Sequence, residues 1–378
     1  MDLFTDFVTD QFYGSRLVLA RMRRGLTQEE LARSVCLDKS TINKYERGTR
    51  SPDAQALVQL ADALGFPVSF FSQGDVGPTS MEGVSFRARR SEVKAVTRDR
   101  TYASLKMAST VLEVATSHRF RMPTPDLPSI PGVPPHVAAD RLRSEWKLGQ
   151  FPIPNMVHLM ETKGIRVYWF HEEDHSVDAV SKVQAGIPFA LLSQRPRGGE
   201  RMRFDIAHEL GHLVMHRGQN ELSIKQIEDE ANAFAGAFLM PQEQFLKECP
   251  KTPSLVTLLN LKPRWGVSLQ ALVHRCYDLN IYSEAQYKNA HRRINASDWR
   301  VNEPGQLECE ESSVWEKIFL HFDKTRVTPA DFARSMHIPV EELYSLVPIA
   351  RRHEGRPATR LEDHYLTLEA LGYTFAEV

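Results

Sequence analysis

The apolar positions at the start of the chain form short helical stripes broken by sharp punctuation. Leu17, Leu19 and Ala20 lie on one that ends near Gly25. Thr27 precedes a second, over residues 28–35, with Glu30 three positions on as a capping box. Asp38 opens a third that runs to about Arg47 and is closed by Gly48, and Ser51-Pro52-Asp53 opens a fourth that reaches Leu64-Gly65. Residues 70–83 are rich in Gly, Ser and Pro and read as a linker; the chain then turns basic and, from Thr101, helical. Residues 122–135 contain six prolines, too many for a packed element, and mark a second boundary. Beyond it, 137–148 and 154–163 read as helices. The apolar, β-branched and aromatic run 165–170 reads as a strand, with 187–192 as a second. Two strongly apolar helical stretches follow at 203–215 and 227–240, and everything after about Glu310 reads as a small helical appendix.

One weak echo crosses the chain. Thr27…Leu31-Ala32-Arg33-Ser34…Leu37…Ile42 recurs as Thr328…Phe332-Ala333-Arg334-Ser335…Ile338…Leu343. It is either two amphipathic helix pairs with common spacing or a second, degenerate helix-turn-helix.

At 378 residues there is room for two or three separate cores. A hydrophobic share of 42% with 25% charged residues is ordinary for a globular chain. No run approaches the ~18 apolar residues of a membrane span, and Met1-Asp2-Leu3-Phe4-Thr5-Asp6 lacks the basic start of a signal peptide. The expectation is a cytoplasmic protein with no membrane partner. Cys36, Cys249, Cys276 and Cys309 have no CxxC spacing, so neither a disulfide framework nor a zinc knuckle is suggested. The net charge of −1 hides a basic N-terminal end: residues 12–71 hold nine Lys/Arg against six Asp/Glu, and 84–106 hold seven against two. That is where a nucleic-acid partner would bind.

A helix-turn-helix needs a small residue where its helices approach, a short turn and a polar outer face on the second helix. Ala32, then Cys36-Leu37-Asp38, then Lys39, Ser40, Asn43 and Lys44 supply these, with Ile42 and Tyr45 pointing inward. Gln28 stands at a helix start, where side chain and helix N-terminus can both meet a phosphate. Through Thr27-Gln28-Glu29-Glu30-Leu31-Ala32 and Ile42…Tyr45-Glu46-Arg47-Gly48…Pro52, residues 12–71 resemble the Xre/Cro/C1 repressor family. The resemblance implies that Gln28 contacts a phosphate of double-stranded operator DNA and that Lys39, Ser40, Asn43 and Lys44 face the major groove, with binding by a homodimer.

His208-Glu209-Leu210-Gly211-His212 carries the other chemistry. Histidines at i and i+4 leave one helix face and can reach a single cation, while the Glu between them can orient a water and take its proton. Phe204, Ile206, Ala207, Leu210, Leu213 and Val214 bury this helix, and Gly211 is expected to keep side-chain bulk away from the ligands. Two imidazoles and a carboxylate in an apolar helix are costly unless something pairs with them, and a metal is the economical partner. A third ligand is expected from Ile227-Glu228-Asp229-Glu230-Ala231-Asn232, where Glu228 or Glu230 but not both can point at the ion. Glu228 is the better choice, because Glu228…Asn232 matches the Glu-xxx-Asp arrangement of zincins in which the second residue bonds a ligand histidine. The other glutamate is expected to pair with Lys225 or Arg203. His216 is either an outer-shell group or an ordinary helix-end histidine. His171 and His175 sit on a polar loop and are expected to be solvated.

The run Arg203-Phe204…Ala207-His208-Glu209-Leu210-Gly211-His212-Leu213…His216, then Glu228…Glu230-Ala231-Asn232-Ala233-Phe234-Ala235…Leu239-Met240-Pro241, resembles the ImmA/IrrE metallopeptidase family over about residues 137–290. The resemblance implies a zincin-like α/β fold, a zinc ion (manganese being the alternative) and limited cleavage of a partner repressor. The fold class expected is multidomain, α plus α+β. It comprises a helix-turn-helix domain over 1–75, a basic and proline-rich linker with a helix over 76–135, a metallopeptidase domain over 136–290, and a helical region of unknown role over 291–378. On this reading the catalytic residue is Glu209, the metal ligands are His208, His212 and Glu228, and Asn232 and His216 support them. The rival expectation is a non-proteolytic regulator or antitoxin that uses the zincin-like domain as a sensor or partner-binding domain.

Overall fold

Side-chain caps mark the starts of two of the first four helices. The computed structural model describes residues 11–77, 94–117, 120–171, 177–194, 198–218, 222–297, 299 and 303–355, together with the backbone of 85–86. Its N-terminal helices are α1 (Gly14–Arg23), α2 (Gln28–Ser34), α3 (Lys39–Glu46) and α4 (Ala54–Leu64). The Thr27 hydroxyl accepts the Glu30 N–H, and the Glu30 carboxylate accepts the Thr27 N–H at 2.7 Å, which is the expected capping box. Asp53 caps α4 through the Ala56 N–H. Asp38 stands at the N-cap of α3, but its side chain makes no capping bond. A 3-10 turn at Val68–Ser72 tucks Phe70 and Phe71 beneath these helices.

Where the sequence suggested a tether, the structure has a spine. Helix α5 (Ala95–Ser117) begins six residues earlier than expected and is buried along much of its length. Tyr102, Leu105, Ala108, Val111 and Leu112 share one core with α1 and the sheet described next. The proline-rich stretch has no regular element, yet it is docked. Ile130 donates its N–H to the Val214 carbonyl at 2.8 Å, Trp146 Nε1 donates to Asp126, and Arg217 donates to the carbonyls of Leu127 and Pro128. Proline removes backbone donors but leaves every carbonyl, and side chains of the domain behind it meet several of those carbonyls.

Strands β1 (Ser85–Phe86), β2 (Arg166–Phe170), β3 (Ala179–Gln184) and β4 (Ile187–Ser193) form one sheet in the order β1-β3-β4-β2. Strands β3 and β4 are a hairpin turned by Ala185 (φ 48°) and Gly186 (φ 80°), the two positive φ values of a tight primed turn. β2 runs parallel to β4, with Val167 opposite Ala190. Successive residues face opposite cores. Tyr168, Phe170, Phe189 and Leu191 pack toward α1 and α5, while Val167, Trp169, Ala190 and Leu192 pack the other way. Burial on both faces is why these strands read as unbroken apolar runs.

The far face carries α6 (Pro135–Glu145), α7 (Met156–Thr162), α8 (Gly199–Met215), α9 (Ile224–Leu239), α10 (Gln242–Glu248), α11 (Leu255–Trp265), α12 (Leu269–Asp278) and α13 (Glu284–Ala296). The near face is completed by α14 (Ser313–Thr325), α15 (Pro329–Ser335) and α16 (Val340–Leu346). The C-terminal region is therefore no appendix. Trp315, Phe319, Phe322, Phe332 and Leu343 belong to the same core as α1 and α5.

Buried carboxylates fasten the segment before α14 across the start of α8. Glu310 pairs with Arg203 and accepts the N–H groups of Met156 and Val157 at 2.7 and 2.9 Å. Arg203 also donates to the carbonyls of Gly266, Ile153 and Pro154. Lys262 sits between Glu200 and Glu303, 2.8 Å from each. The Gly199 N–H bonds the Leu307 carbonyl at 2.7 Å, and a Cβ on Gly199 would lie 1.9 Å from the Glu308 carbonyl oxygen. Gly199→Ala should therefore lower stability by about 1–3 kcal/mol through overpacking, read as a shifted midpoint in chemical denaturation. An unshifted midpoint would mean that the strap yields without cost.

Candidate metal centre and nucleic-acid interface

Helix α8 places His208 and His212 one turn apart in the interface with α9, where both rings are almost wholly buried. α9 starts three residues earlier than the apolar pattern suggested. Ser223 and Gln226 close a capping box there, and Glu228 lies within reach of the two histidines. Gly211 has a different role from the one expected. Its missing side chain makes room for α9, since a Cβ there would lie 3.0 Å from Phe234 Cδ1 and 3.4 Å from Ala231 Cα. The glycine thus sets the spacing of the two helices.

Three side chains converge. His208 Nε2 and His212 Nε2 are 2.9 Å apart, Glu228 Oε2 lies 3.3 Å from the first, and Glu228 Oε1 lies 3.6 Å from the second. Donors bound to one tetrahedral zinc at ~2.0–2.1 Å stand about 3.3 Å from each other, so the observed separations bracket that value. His208 Nδ1 meets Asn232 Oδ1 at 3.0 Å; the amide oxygen can only accept, so the proton sits on Nδ1 and the Nε2 lone pair faces the other donors. These three residues form the one group among the described residues whose His, Cys, Asp or Glu donors cluster as a metal site would. The donor set, two imidazoles and one carboxylate, suits zinc and accommodates manganese.

The second ring is held by a relay that the sequence half revealed. His212 Nδ1 lies 3.0 Å from His216 Nδ1, and His216 Nε2 lies 3.0 Å from Glu230 Oε2. Glu230 thus pairs with His216, neither with Lys225 nor with Arg203, whose partner is Glu310. The i, i+4 step from His212 to His216 was visible in the sequence; the partner on α9 was not, because it depends on how the two helices cross. Glu209 is fully buried, and its backbone carbonyl accepts the Ser181 hydroxyl of β3 at 3.4 Å. His171 is exposed, and His175 lies outside the described residues.

In the N-terminal module, Lys39, Ser40 and Lys44 are exposed on α3, while Ile42 and Tyr45 are buried beneath it. Asn43 is half-buried, its amide 3.5 Å from Gln28 Oε1. Gln28 donates in turn to Glu46 at 2.6 Å, and Glu46 also binds Arg21. Gln28 and Asn43 are therefore held by a network joining α1, α2 and α3, which fixes their orientation before any ligand arrives.

Known proteins agree with this division. Residues 17–71 match the family profile of helix-turn-helix domains, and residues 160–277 match that of the IrrE N-terminal-like domain, a peptidase family. An uncharacterized HTH-type transcriptional regulator of Sinorhizobium medicae is 40% identical over 73 residues, 18% of this chain and 52% of that protein. The cryptic phage CTXphi transcriptional repressor RstR of Vibrio cholerae is 35% identical over 57 residues, 15% of this chain and 51% of its own. The chain spans about half the length of the curated relatives it matches. A crystal structure of Bacillus thuringiensis PlcR with the peptide PapR7 and DNA aligns over 90% of this chain and 93% of its own, at 12% identity and a TM-score of 0.15. The chain carries a helix-turn-helix DNA-binding module and, behind it, a domain of the IrrE type.

Elemental analysis of purified protein is expected to find about one zinc per chain, lost in Glu228→Ala because one of three ligands is gone. Glu230→Ala should keep the metal with about 10–100-fold lower affinity, the usual cost of removing an outer-shell partner. Full zinc in Glu228→Ala would remove Glu228 from the ligand set, and unchanged affinity in Glu230→Ala would dissolve the relay.

Proposed function

We propose that this chain is a zinc-dependent, site-specific endopeptidase joined to its own operator-binding module, and that it cuts a repressor-like or antitoxin-like protein in stress, mobile-element or toxin–antitoxin control. One observation carries the reading: two buried imidazoles and a carboxylate converge on one point, with the buried carboxylate of Glu209 next to the first imidazole in sequence. His208, His212 and Glu228 would hold the metal, which when bound supplies Lewis acidity to the peptide carbonyl. Glu209 accepts the proton of the attacking water and returns it to the departing amine. Asn232 keeps His208 protonated on Nδ1 and so in the ligating tautomer. His216, steadied by Glu230, does the corresponding work for His212. In the N-terminal module Lys39, Ser40, Asn43 and Lys44 face the major groove, and Gln28 contacts a phosphate while steadying Asn43, with two copies of the chain on paired half-sites.

A second reading has an observation of its own. The DNA module shares a core with one face of the sheet, by way of α5, and α8 and α9 share a core with the other face, so metal binding can bias DNA binding with no bond cut. The two readings part at Glu209→Gln, which preserves shape but cannot accept a proton. In an endopeptidase this variant keeps its zinc and loses about 10²–10⁴-fold in cleavage of a co-expressed partner repressor. In a turnover-free regulator it behaves as wild type in cells. The first outcome is expected.

DNA binding should weaken steeply with salt, as phosphate counterions are displaced by Lys39, Lys44 and nearby arginines. Lys44→Ala should weaken all duplexes alike, whereas Asn43→Ala should cost ~1–3 kcal/mol on the preferred site and less on random duplex. Equal losses for Asn43→Ala on both would make that residue a positioning contact.

A further inference from the structure

The C-terminal helices repeat the N-terminal module almost residue for residue. Adding 301 carries Thr27, with its capping box to Glu30, onto Thr328, with its capping box to Asp331. It carries Gly25 at φ 65° onto Arg326 at φ 61°, and Cys36 at φ 53° onto His337 at φ 55°. The turn hydrogen bonds move with them. Leu26 N–H to Arg21 O becomes Val327 N–H to Phe322 O, and Leu37 N–H to Ala32 O becomes Ile338 N–H to Ala333 O. α2 and α15 are each seven residues long, and the inward Leu31, Ala32 and Ile42 become the inward Phe332, Ala333 and Leu343. A left-handed residue other than glycine is uncommon. Two of them at matched positions of matched turns make coincidental spacing untenable.

The outer faces of the two reading helices differ. Asn43 and Lys44 correspond to Tyr344 and Ser345, and Thr41 corresponds to Glu342. Tyr344 and Glu342 are buried. Glu342 binds Arg23 at 2.6 Å and Arg24 as well, both from the end of α1, and Arg23 also donates to the Ser345 hydroxyl at 2.6 Å. Gln194, after β4, donates to the Ser345 carbonyl at 2.7 Å. His337 in the turn meets Ser69 of the first module at 2.9 Å. Burial pushes the Glu342 carboxyl up, but the two arginines outweigh it and hold the group below its ordinary range.

We propose that residues 313–346 are a second helix-turn-helix whose reading face is turned from nucleic acid onto the chain's own first module, making it a latch that fixes the DNA reader to the central sheet. Its partner is the end of α1, and its chemistry is a buried carboxylate gripped by two guanidinium groups. The exposed face of α3 is left open, so the latch holds the reader in place without covering it. This inference does not depend on the metal centre or on peptidase activity.

Hydrogen exchange on the full-length protein tests it. Removing one side of a buried ion pair strands the other charge, so Glu342→Ala should raise exchange in α16 and the last turn of α1 by about tenfold or more. Arg23→Ala should do the same, and the double variant should raise exchange by less than the two singles combined, because both lose the Arg23–Glu342 contact. Glu342→Gln, which keeps the acceptor oxygen, should give a smaller rise in the same segments and serves if the alanine variant fails to fold. Unchanged α16 exchange in the variants, or fully additive effects, would overturn the latch. A second arm selects duplexes from a random 40-base-pair pool with the Lys39→Ala/Asn43→Ala/Lys44→Ala protein. No enrichment is expected. An enriched motif that disappears on adding Glu341→Ala and Ser345→Ala would make the second module a reader and overturn the proposal.

Discussion

Two imidazoles and a carboxylate meeting inside an apolar helix interface are the constraint on which the peptidase-type half of this molecule turns. Buried polar groups are costly unless each is matched, and here each neighbour matches one. Asn232 takes the outer nitrogen of His208, His216 takes that of His212, and Glu230 steadies His216. The helix geometry serves the same end. Gly211 lets α9 approach, the Ser223 capping box fixes where α9 begins, and the strap of 303–312 pins the start of α8.

The sheet ties this half to the other. Because β2 and β4 present alternate residues to two cores, the core that includes the helix-turn-helix module and the core that includes α8 and α9 share one structural layer. The connecting segments join in: α5 is a buried spine, and the proline-rich stretch is docked by Arg217 and Trp146. The helix-turn-helix module and the α8–α9 interface are thus joined by packed structure.

Much of this was legible before any coordinates. The first four helices, strands β2 and β4, helices α8 and α9 and the shared face of His208 and His212 follow from periodicity, capping residues and i, i+4 spacing, whereas the choice of Glu228 over Glu230 rested on the resemblance of Glu228…Asn232 to the zincin arrangement. What was not legible depended on contacts far apart in sequence. α5 read as a tether because its basic residues concealed an apolar face. β3 was missed because Ser181, Lys182 and Gln184 dilute its short run of branched residues. Gly211 was credited to the ligands when its neighbour is Phe234, a residue on the next helix. The echo at 328–343 was visible as spacing, but its meaning lay in two left-handed turn residues and in the ion pair from Glu342 to α1.

The central claim is that the α8–α9 interface holds one metal ion on nitrogen and oxygen donors. Zinc-edge X-ray absorption on the purified full-length protein tests it most directly. The account predicts a first shell of nitrogen and oxygen at ~2.0–2.1 Å with the outer scattering of two imidazoles. A sulfur shell at ~2.3 Å, which would move the ion to the buried Cys249 and Cys276 pair, or a protein purified without chelators and free of metal, would contradict it.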